Sequence, residues 1–287
     1  MSDINDLNTT LTKLDIATQT CGLNRDITDK FYTKNNIVML CSKFIKKYIN
    51  ITTTDLIIEP SAGNGAFIDI IKNMSTNHLF YDLFPEHDEI NKQDYLDLDI
   101  NNFCNSKNNI HTIGNPPFGR QSSLAIKFIK QSCKFSNSIS FILPKSFKKD
   151  SLKKHFPANF HLIFQYDLPE YSFIVNNIDT NVPCIFQIWI KKINNRIIPL
   201  KLEPINFSFV KKNEEPDFSF RRVGVYAGKI DTFIDTQSIQ SHYFIKLKKF
   251  NNNIINKLSQ IQFNCDNTVG PNSISKQELI IEFNNIL

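Results

Sequence analysis

The chain has 287 residues, enough for one large domain or a medium domain with an appendage. A 41% hydrophobic content supports a globular core, and a net charge of +5 suits a polyanionic partner without demanding one. Six scattered cysteines without a C-x-x-C pair exclude a zinc ribbon and a disulfide scaffold, and six histidines without H-x-x-x-H spacing leave no metal site expected.

The amino terminus, "MSDINDLNTT", has neither the basic start nor the apolar stretch of a secretory signal. No apolar run approaches the roughly 20 residues of a membrane span. An intracellular protein, cytoplasmic or nuclear, is expected, with residues 1–23 as a loose polar tail. Ile37, Leu40, Cys41, Phe44, Ile45 and Tyr48 then follow a helical period. "DLIIEP" (55–60) reads as a short buried strand, and Gly63 and Gly65 turn the chain into a helix carrying Phe67, Ile68, Ile70 and Ile71. Strands are predicted at "HLFYD" (78–82), "NIHTIG" (109–114), "SISFILP" (138–144), "FHLIFQYDL" (160–168) and "PCIFQIWIKK" (183–192), with a helix at 123–133. Strands alternating with helices predict an α/β domain with a mostly parallel sheet over 24–198. From 199 to 287 the texture turns aromatic and charged, closing on two amphipathic helix candidates through Leu258 and Phe283.

Two stretches carry chemistry. In "IIEPSAGNGAF" (57–67), Gly63 and Gly65 let a backbone approach a ligand at a helix start. Only eight glycines occur in the whole chain, so a G-x-G here stands above background. Asp82 ends the next strand, where a carboxylate in a doubly wound sheet receives ribose hydroxyls. The loop lacks the lysine of a phosphate-binding loop and the third glycine of a dinucleotide site. These features favour a nucleoside without a pyrophosphate, and S-adenosylmethionine fits.

The second stretch is "IGNPPFG" (113–119). Pro116 and Pro117 fix their own φ and bar the residue before each from the helical region. Neither has an N–H, so the corner is stiff and rich in acceptors. Such a corner can hold both hydrogens of a planar –NH2 on the Asn115 oxygen and the Pro116 carbonyl, with Phe118 stacked on the plane. The amine lone pair then points at an electrophile, which suits an in-line methyl transfer driven by positioning and electrostatics.

"EPSAGNGAF" followed by "IGNPPFG" resembles the S-adenosylmethionine-dependent amino-methyltransferases, particularly those acting on adenine N6. The resemblance implies a Rossmann-like class I methyltransferase fold with a small C-terminal appendage, and Asn115, Pro116, Pro117 and Phe118 as the catalytic motif. It implies cofactor contacts from Glu59, Pro60, Ser61, Ala62, Gly63, Gly65 and Phe67, and from Asp82 with Leu83. "DKFYTK" (29–34) is similar to an amino-terminal element, placing Phe31, Tyr32 and Thr33 at the methionine end. Asp94, with Tyr95, stands where an acid meets the cofactor adenine. "PEYSFIVNN" (169–177) stands where a second aromatic clamps the target base, with Phe173 chosen over Tyr171.

Lys145 and Lys148, in the basic run 144–156, are candidate phosphate contacts, and residues 199–287 a substrate-recognition region. The expected substrate is adenine in nucleic acid, DNA before RNA. Messenger, ribosomal or transfer RNA adenosine, or a protein glutamine amide, is the alternative. A non-catalytic nucleic-acid-binding subunit is the third reading. Cytosine carbon methylation needs a thiolate, and the nearest candidate, Cys184 in "NVPCIFQIWI", reads as core.

Overall fold

The computed structural model describes residues 30–99, 101–104, 108–263 and 272–287. The expected loose tail, 1–23, lies outside them. Residues Phe31–Leu287 form one compact unit.

A short strand, β1 (Tyr32–Thr33), leads into helix α1 (Asn35–Tyr48). Ile37, Val38, Cys41, Ser42 and Ile45 form its buried face, and Lys46 and Lys47 sit in the last turn, where the helix dipole favours positive charge. Strand β2 (Leu56–Glu59), the short helix α2 (Ile68–Lys72), β3 (Asn77–Asp82) and a two-residue β4 (Asn91–Lys92) make the first half of the sheet. The second half is built by β5 (Ile110–Gly114), α3 (Ser123–Phe135), β6 (Ser138–Pro144) and β7 (Phe160–Asp167). A hairpin, β8 (Phe173–Val175) and β9 (Ile178–Thr180), then leads to β10 (Cys184–Lys191).

The sheet order is β4-β3-β2-β5-β6-β10-β7. The pairs from β4 to β6 are parallel, and β10 alone runs antiparallel, between β6 and β7. Helices cover both faces of such a sheet. Accordingly β2, β5 and β6 are buried along their whole length and read as apolar runs rather than alternations. Chain order reverses between β2 and β5: β3 and β4 lie to one side, β5 and β6 to the other. That reversal opens a crevice outside the carboxyl ends of β2 and β5, where open α/β sheets bind ligands.

The β8–β9 hairpin turns on Asn176 (φ 49°) and Asn177 (φ 63°), two left-handed residues that suit a tight hairpin. It pairs with β1 through Tyr32–Ile174 and Thr33–Phe173, making a separate three-stranded sheet. The sequence shows neither this sheet nor β4, because elements of two or three residues carry no period.

A second core lies in the C-terminal region. Strands β11 (Phe207–Val210), β12 (Phe218–Arg221), β13 (Ile230–Asp231) and β14 (His242–Leu247) form an antiparallel sheet in the order β11-β14-β12-β13. Helices α4 (Asn252–Ser259) and α5 (Lys276–Asn284) complete this part of the chain. Phe207, Phe218, Phe220, Ile245, Leu258, Leu279 and Phe283 are buried together. Ser275 and Glu278 form a reciprocal capping box at the start of α5. The four strands occupy a stretch whose sequence shows only a change of texture. Lys149, just after β6, ties the two cores: its ammonium meets Ser273 O at 2.6 Å and Glu278 at 3.4 Å.

Candidate active site

The glycine turn leaves β2 at the crevice. Gly63 has φ +54° and Gly65 φ +85°, the left-handed region that side chains resist. A Cβ on Gly65 would lie 2.8 Å from Ile68 Cδ1, a contact the Ile68 side chain could yield to, so it is the φ of +85° that makes a larger residue strained there. Asp82, at the end of β3, holds the turn: Oδ2 accepts from Gly63 N at 2.8 Å and Oδ1 from Phe84 N at 2.8 Å. Each oxygen keeps a second lone pair for a ligand hydroxyl. Tyr32 lies 3.4 Å from where a Gly63 Cβ would stand, with its hydroxyl on Glu86 at 2.7 Å.

Glu59 ends β2 and is 1% exposed. Its Oε2 is buried without a hydrogen-bond partner. Burial, with the Asp82 charge adding to it, holds its carboxyl well above the usual carboxylate range.

Asn115 follows β5, across the crevice from the glycine turn. Ser61 Oγ donates to Asn115 O at 3.1 Å, so the two candidate motifs touch. The Asn115 amide nitrogen donates to Phe31 O at 3.3 Å and to Thr33 Oγ1 at 3.2 Å. Phe31 O can only accept, so the amide orientation is set: nitrogen toward β1, oxygen away from it. That oxygen, Oδ1, is buried with no partner. A buried acceptor left without any hydrogen-bond partner costs about 1–3 kcal/mol, so this oxygen favours a ligand donor. Among the described residues the Pro116 carbonyl also accepts no hydrogen bond. Two acceptors without a hydrogen-bond partner among the described residues therefore belong to neighbouring residues of one stiff corner. Phe118 is buried, and its carbonyl receives Leu124 N and Ala125 N at the head of α3. Gln121 (φ 53°) and Ser122 (φ 63°) leave the motif in left-handed conformations, a local strain of the kind that persists at ligand sites.

Several expected contacts sit differently in three dimensions. Phe173 is 0% exposed, edge-on to Phe31 at 6.4 Å, so its ring has no face for a base as the hairpin stands. Tyr171, at φ 55°, is 52% exposed and is the open aromatic of that loop. The Phe67 ring is core. Tyr95 is also core: it stacks on Phe128 and bonds Ser132 at 2.7 Å. Both can shape the crevice wall only from behind. Asp94 caps the turn at Tyr95–Asp97 by accepting from Leu96 N at 2.8 Å. Leu83 is exposed, as is Phe84, an apolar neighbour of Asp82 that no motif in the sequence marks. Lys145 and Lys148 both pair with Asp167, at 3.8 and 2.6 Å, so that corner offers phosphate less charge than the residue count suggests. Burial pushes the Cys184 thiol up, which suits packing and not attack.

The role of Thr33 and Phe31 in aiming Asn115 was not visible in the sequence. They are more than 80 residues away from it, and only the pairing of β1 with β8 sets that approach.

A seven-stranded sheet with one antiparallel strand inserted beside the last, and a crevice at the β2–β5 reversal, is the Rossmann-like fold of class I methyltransferases. No protein-family model and no curated protein matches the chain. Solved structures do. A Pyrococcus horikoshii protein inferred to be an RNA methyltransferase is 14% identical, covering 64% of this chain and 100% of that one at a TM-score of 0.45. The 23S rRNA methyltransferase ErmE is 9% identical over 58% and 72%, at 0.43. The modification subunit of an inferred type I restriction enzyme from Vibrio vulnificus is 12% identical over 98% and 67%, at 0.44. At these identities and scores nothing about activity passes to this chain. Its function has to be read from its own residues. Among the described residues no helix is long and apolar enough to cross a membrane, and no cluster of His, Cys, Asp or Glu is placed to hold a metal.

Proposed function

We propose that the chain is an S-adenosylmethionine-dependent N-methyltransferase that acts on the exocyclic amine of adenine in nucleic acid. One observation carries the reading: the Asn115 amide is clamped by its nitrogen, with its oxygen buried and unpartnered at the residue before Pro116. That oxygen and the Pro116 carbonyl fit the two hydrogens of a planar –NH2.

The crevice residues fit the cofactor. Asp82, with a lone pair left on each oxygen, suits the two hydroxyls of a ribose. The buried Glu59 carboxyl, held neutral by burial, leaves its Oε2 without a protein partner and so can hydrogen-bond a polar group of the cofactor. Gly63 and Gly65 supply the left-handed turn that carries the backbone from β2 past the crevice. Leu83 and Phe84 offer apolar surface for an adenine edge, and Asp94 an acceptor for its amine. When bound, S-adenosylmethionine supplies an electrophilic methyl group.

The protein's own residues then act on the amine. Asn115 Oδ1 and the Pro116 carbonyl each accept one of its hydrogens, which turns the nitrogen lone pair toward the crevice. Positive charge grows on the nitrogen during attack, and both acceptors bind it more strongly as it grows. Because Thr33 and Phe31 hold Asn115 beforehand, little reorganisation is needed. Phe118, buried in the first core like Phe173, backs the corner from the protein side, and the aromatic clamp falls to exposed Tyr171. Residues 199–287 are assigned to substrate recognition, with DNA preferred over RNA. A base in a duplex would have to be flipped out to reach Asn115, at a cost of a few kcal/mol.

The test is incubation with methyl-labelled cofactor and a panel of DNA, RNA and protein, followed by nucleoside and amino-acid analysis. Labelled N6-methyladenine or N6-methyladenosine is expected. Label in glutamine amides alone, or no transfer and no cofactor binding, would overturn the reading.

A further inference from the structure

Charge is not spread evenly along the chain. Residues 100–149 contain eight lysines and arginines and no aspartate or glutamate, against 28 acids in the whole sequence. A long run of one sign suits a partner of the opposite sign. The acids that bound the run are engaged locally: Asp99 accepts from Asn101 N at 3.0 Å, and Asp150 pairs with Lys153 at 3.8 Å. Three cations of the run are spent as well, Lys145 and Lys148 on Asp167 and Lys149 on Glu278.

Helix α3 carries cations that are not spent. Its buried face runs through Ala125, Phe128, Ile129, Ser132 and Phe135. Lys127, Lys130 and Lys134 lie on the other face and are all exposed. At 3.6 residues per turn they fall within about 60° of one another, in one stripe along about 10 Å of helix axis. Among the described residues none of the three pairs with an acid, and the only side-chain partner is Gln131, 2.7 Å from Lys134. Asp97 lies on the segment whose Tyr95 and Leu98 carbonyls Gln131 meets, and it forms no ion pair with the stripe. Burial, with the Lys130 and Lys154 charges adding to it, holds the His155 imidazole below its usual range. Lys154, also exposed, therefore widens the stripe beyond the helix.

The stripe begins at the Asn115 corner. The Phe118 carbonyl receives Leu124 N and Ala125 N at the head of α3, and Lys127 stands just beyond them. Arg120, between the corner and the helix, is exposed and pairs with no acid among the described residues. We propose that Arg120, Lys127, Lys130, Lys134 and Lys154 form a track that holds the phosphate backbone of the DNA whose adenine reaches Asn115. The proposal rests on the nucleic-acid reading above and adds where the polyanion lies. Along one strand of a duplex a phosphate follows at about every 3.4 Å of axis, so about 10 Å of stripe spans three of them, one for each lysine of α3. Such contacts hold and orient a duplex without reading its sequence, which is left to residues 199–287. An anionic membrane could take the same cations, but it has no base to present to the corner where the stripe begins.

The test is equilibrium binding of a short fluorescent DNA duplex to the full chain over a range of salt. The triple variant Lys127→Gln, Lys130→Gln, Lys134→Gln is expected to bind more weakly and to shallow the slope of log K against log salt by about 2.7, three contacts at about 0.9 each. The charge-matched variant Lys43→Gln, Lys46→Gln, Lys47→Gln, at exposed positions of α1, should keep the parent slope. Glutamine is a good helix former, so both variants should melt with the parent and keep its cofactor affinity. Equal slopes in the parent and the α3 variant overturn the track even where methyl transfer to DNA is intact. Equal losses in the two triple variants overturn it too, since net charge alone would then explain binding. So does a parent that fails to bind the duplex, or that binds phosphatidylserine vesicles in its place. A chain that loses slope as expected yet transfers no methyl group supports the track and counts only against the reaction.

Discussion

Replacing Thr33 by valine removes one hydroxyl and keeps the shape of the side chain. Thr33 is 7% exposed, so no water can step in for the lost oxygen without rearrangement. The hydroxyl accepts from the Asn115 amide nitrogen at 3.2 Å, and Phe31 O shares that nitrogen at 3.3 Å. A neutral hydrogen bond of this sort is worth about 0.5–1.5 kcal/mol net. If that energy serves to aim Asn115, kcat falls by about two- to twelve-fold, since 1.36 kcal/mol is tenfold. Removing Asn115 itself should cost far more, on the order of 10²- to 10³-fold, as for loss of a polar group that stabilises a transition state. The decisive assay is a double-mutant cycle on methyl transfer. In an Asn115→Ala background, Thr33→Val should do nothing further to turnover, because the group it positions is gone. Thr33→Ser should restore the parent rate, and cofactor affinity by calorimetry should barely move. Additive losses, or a fall in cofactor affinity with kcat untouched, would refute positioning through Asn115 and leave Thr33 a cofactor contact.

Asn115→Ala is expected to retain cofactor binding while losing methyl transfer, read by calorimetry beside a radiolabel assay; unchanged turnover removes its role. Asp82→Ala should weaken cofactor binding and loosen the glycine turn together, because the same carboxylate holds Gly63 N; Asp82→Asn, which keeps one acceptor oxygen, should be milder, and equal affinities across the three proteins would take Asp82 out of the site. Glu59 is held protonated by burial above the range in which it ionises when unfolded. Unfolding therefore releases a proton between the unfolded and folded values, and stability falls as pH rises through that window. Thermal melts from about pH 5 to about pH 8 should show a smaller loss for Glu59→Gln than for the parent, and parallel curves would mean that Glu59 is not responsible. Lys149→Ala removes the ammonium that meets Ser273 and Glu278, so limited proteolysis should cut sooner between the two cores; an unaltered cleavage rate would show the tie to be dispensable.

Much of the first core is legible before any coordinates. "SISFILP" is β6 residue for residue, and "DLIIEP", "HLFYD" and "PCIFQIWIKK" each contain their strand to within a residue or two at either end. β2, β6 and most of β10 are buried on both faces, so burial is written locally as composition, while the partly buried β3 shows as a short apolar and aromatic run. The corner of Asn115 and the prolines is equally local, because proline acts on its own φ and on its immediate neighbour. The four C-terminal strands and the β8–β9 hairpin are not legible in this way. They are short, and their pairing is set by partners far along the chain rather than by a period within.

What the sequence by itself determined is therefore a parallel α/β sheet with two stiff or glycine-rich corners of the right residue types. Only the tertiary structure decided which way those corners face. It brought Phe31 and Thr33 onto the nitrogen of Asn115, left the oxygen dry, and turned Phe173 into the core while leaving Tyr171 outside. The physical reason is that side-chain orientation and exposure depend on contacts between residues remote in sequence, and a local pattern cannot encode a contact whose other half lies dozens of residues away.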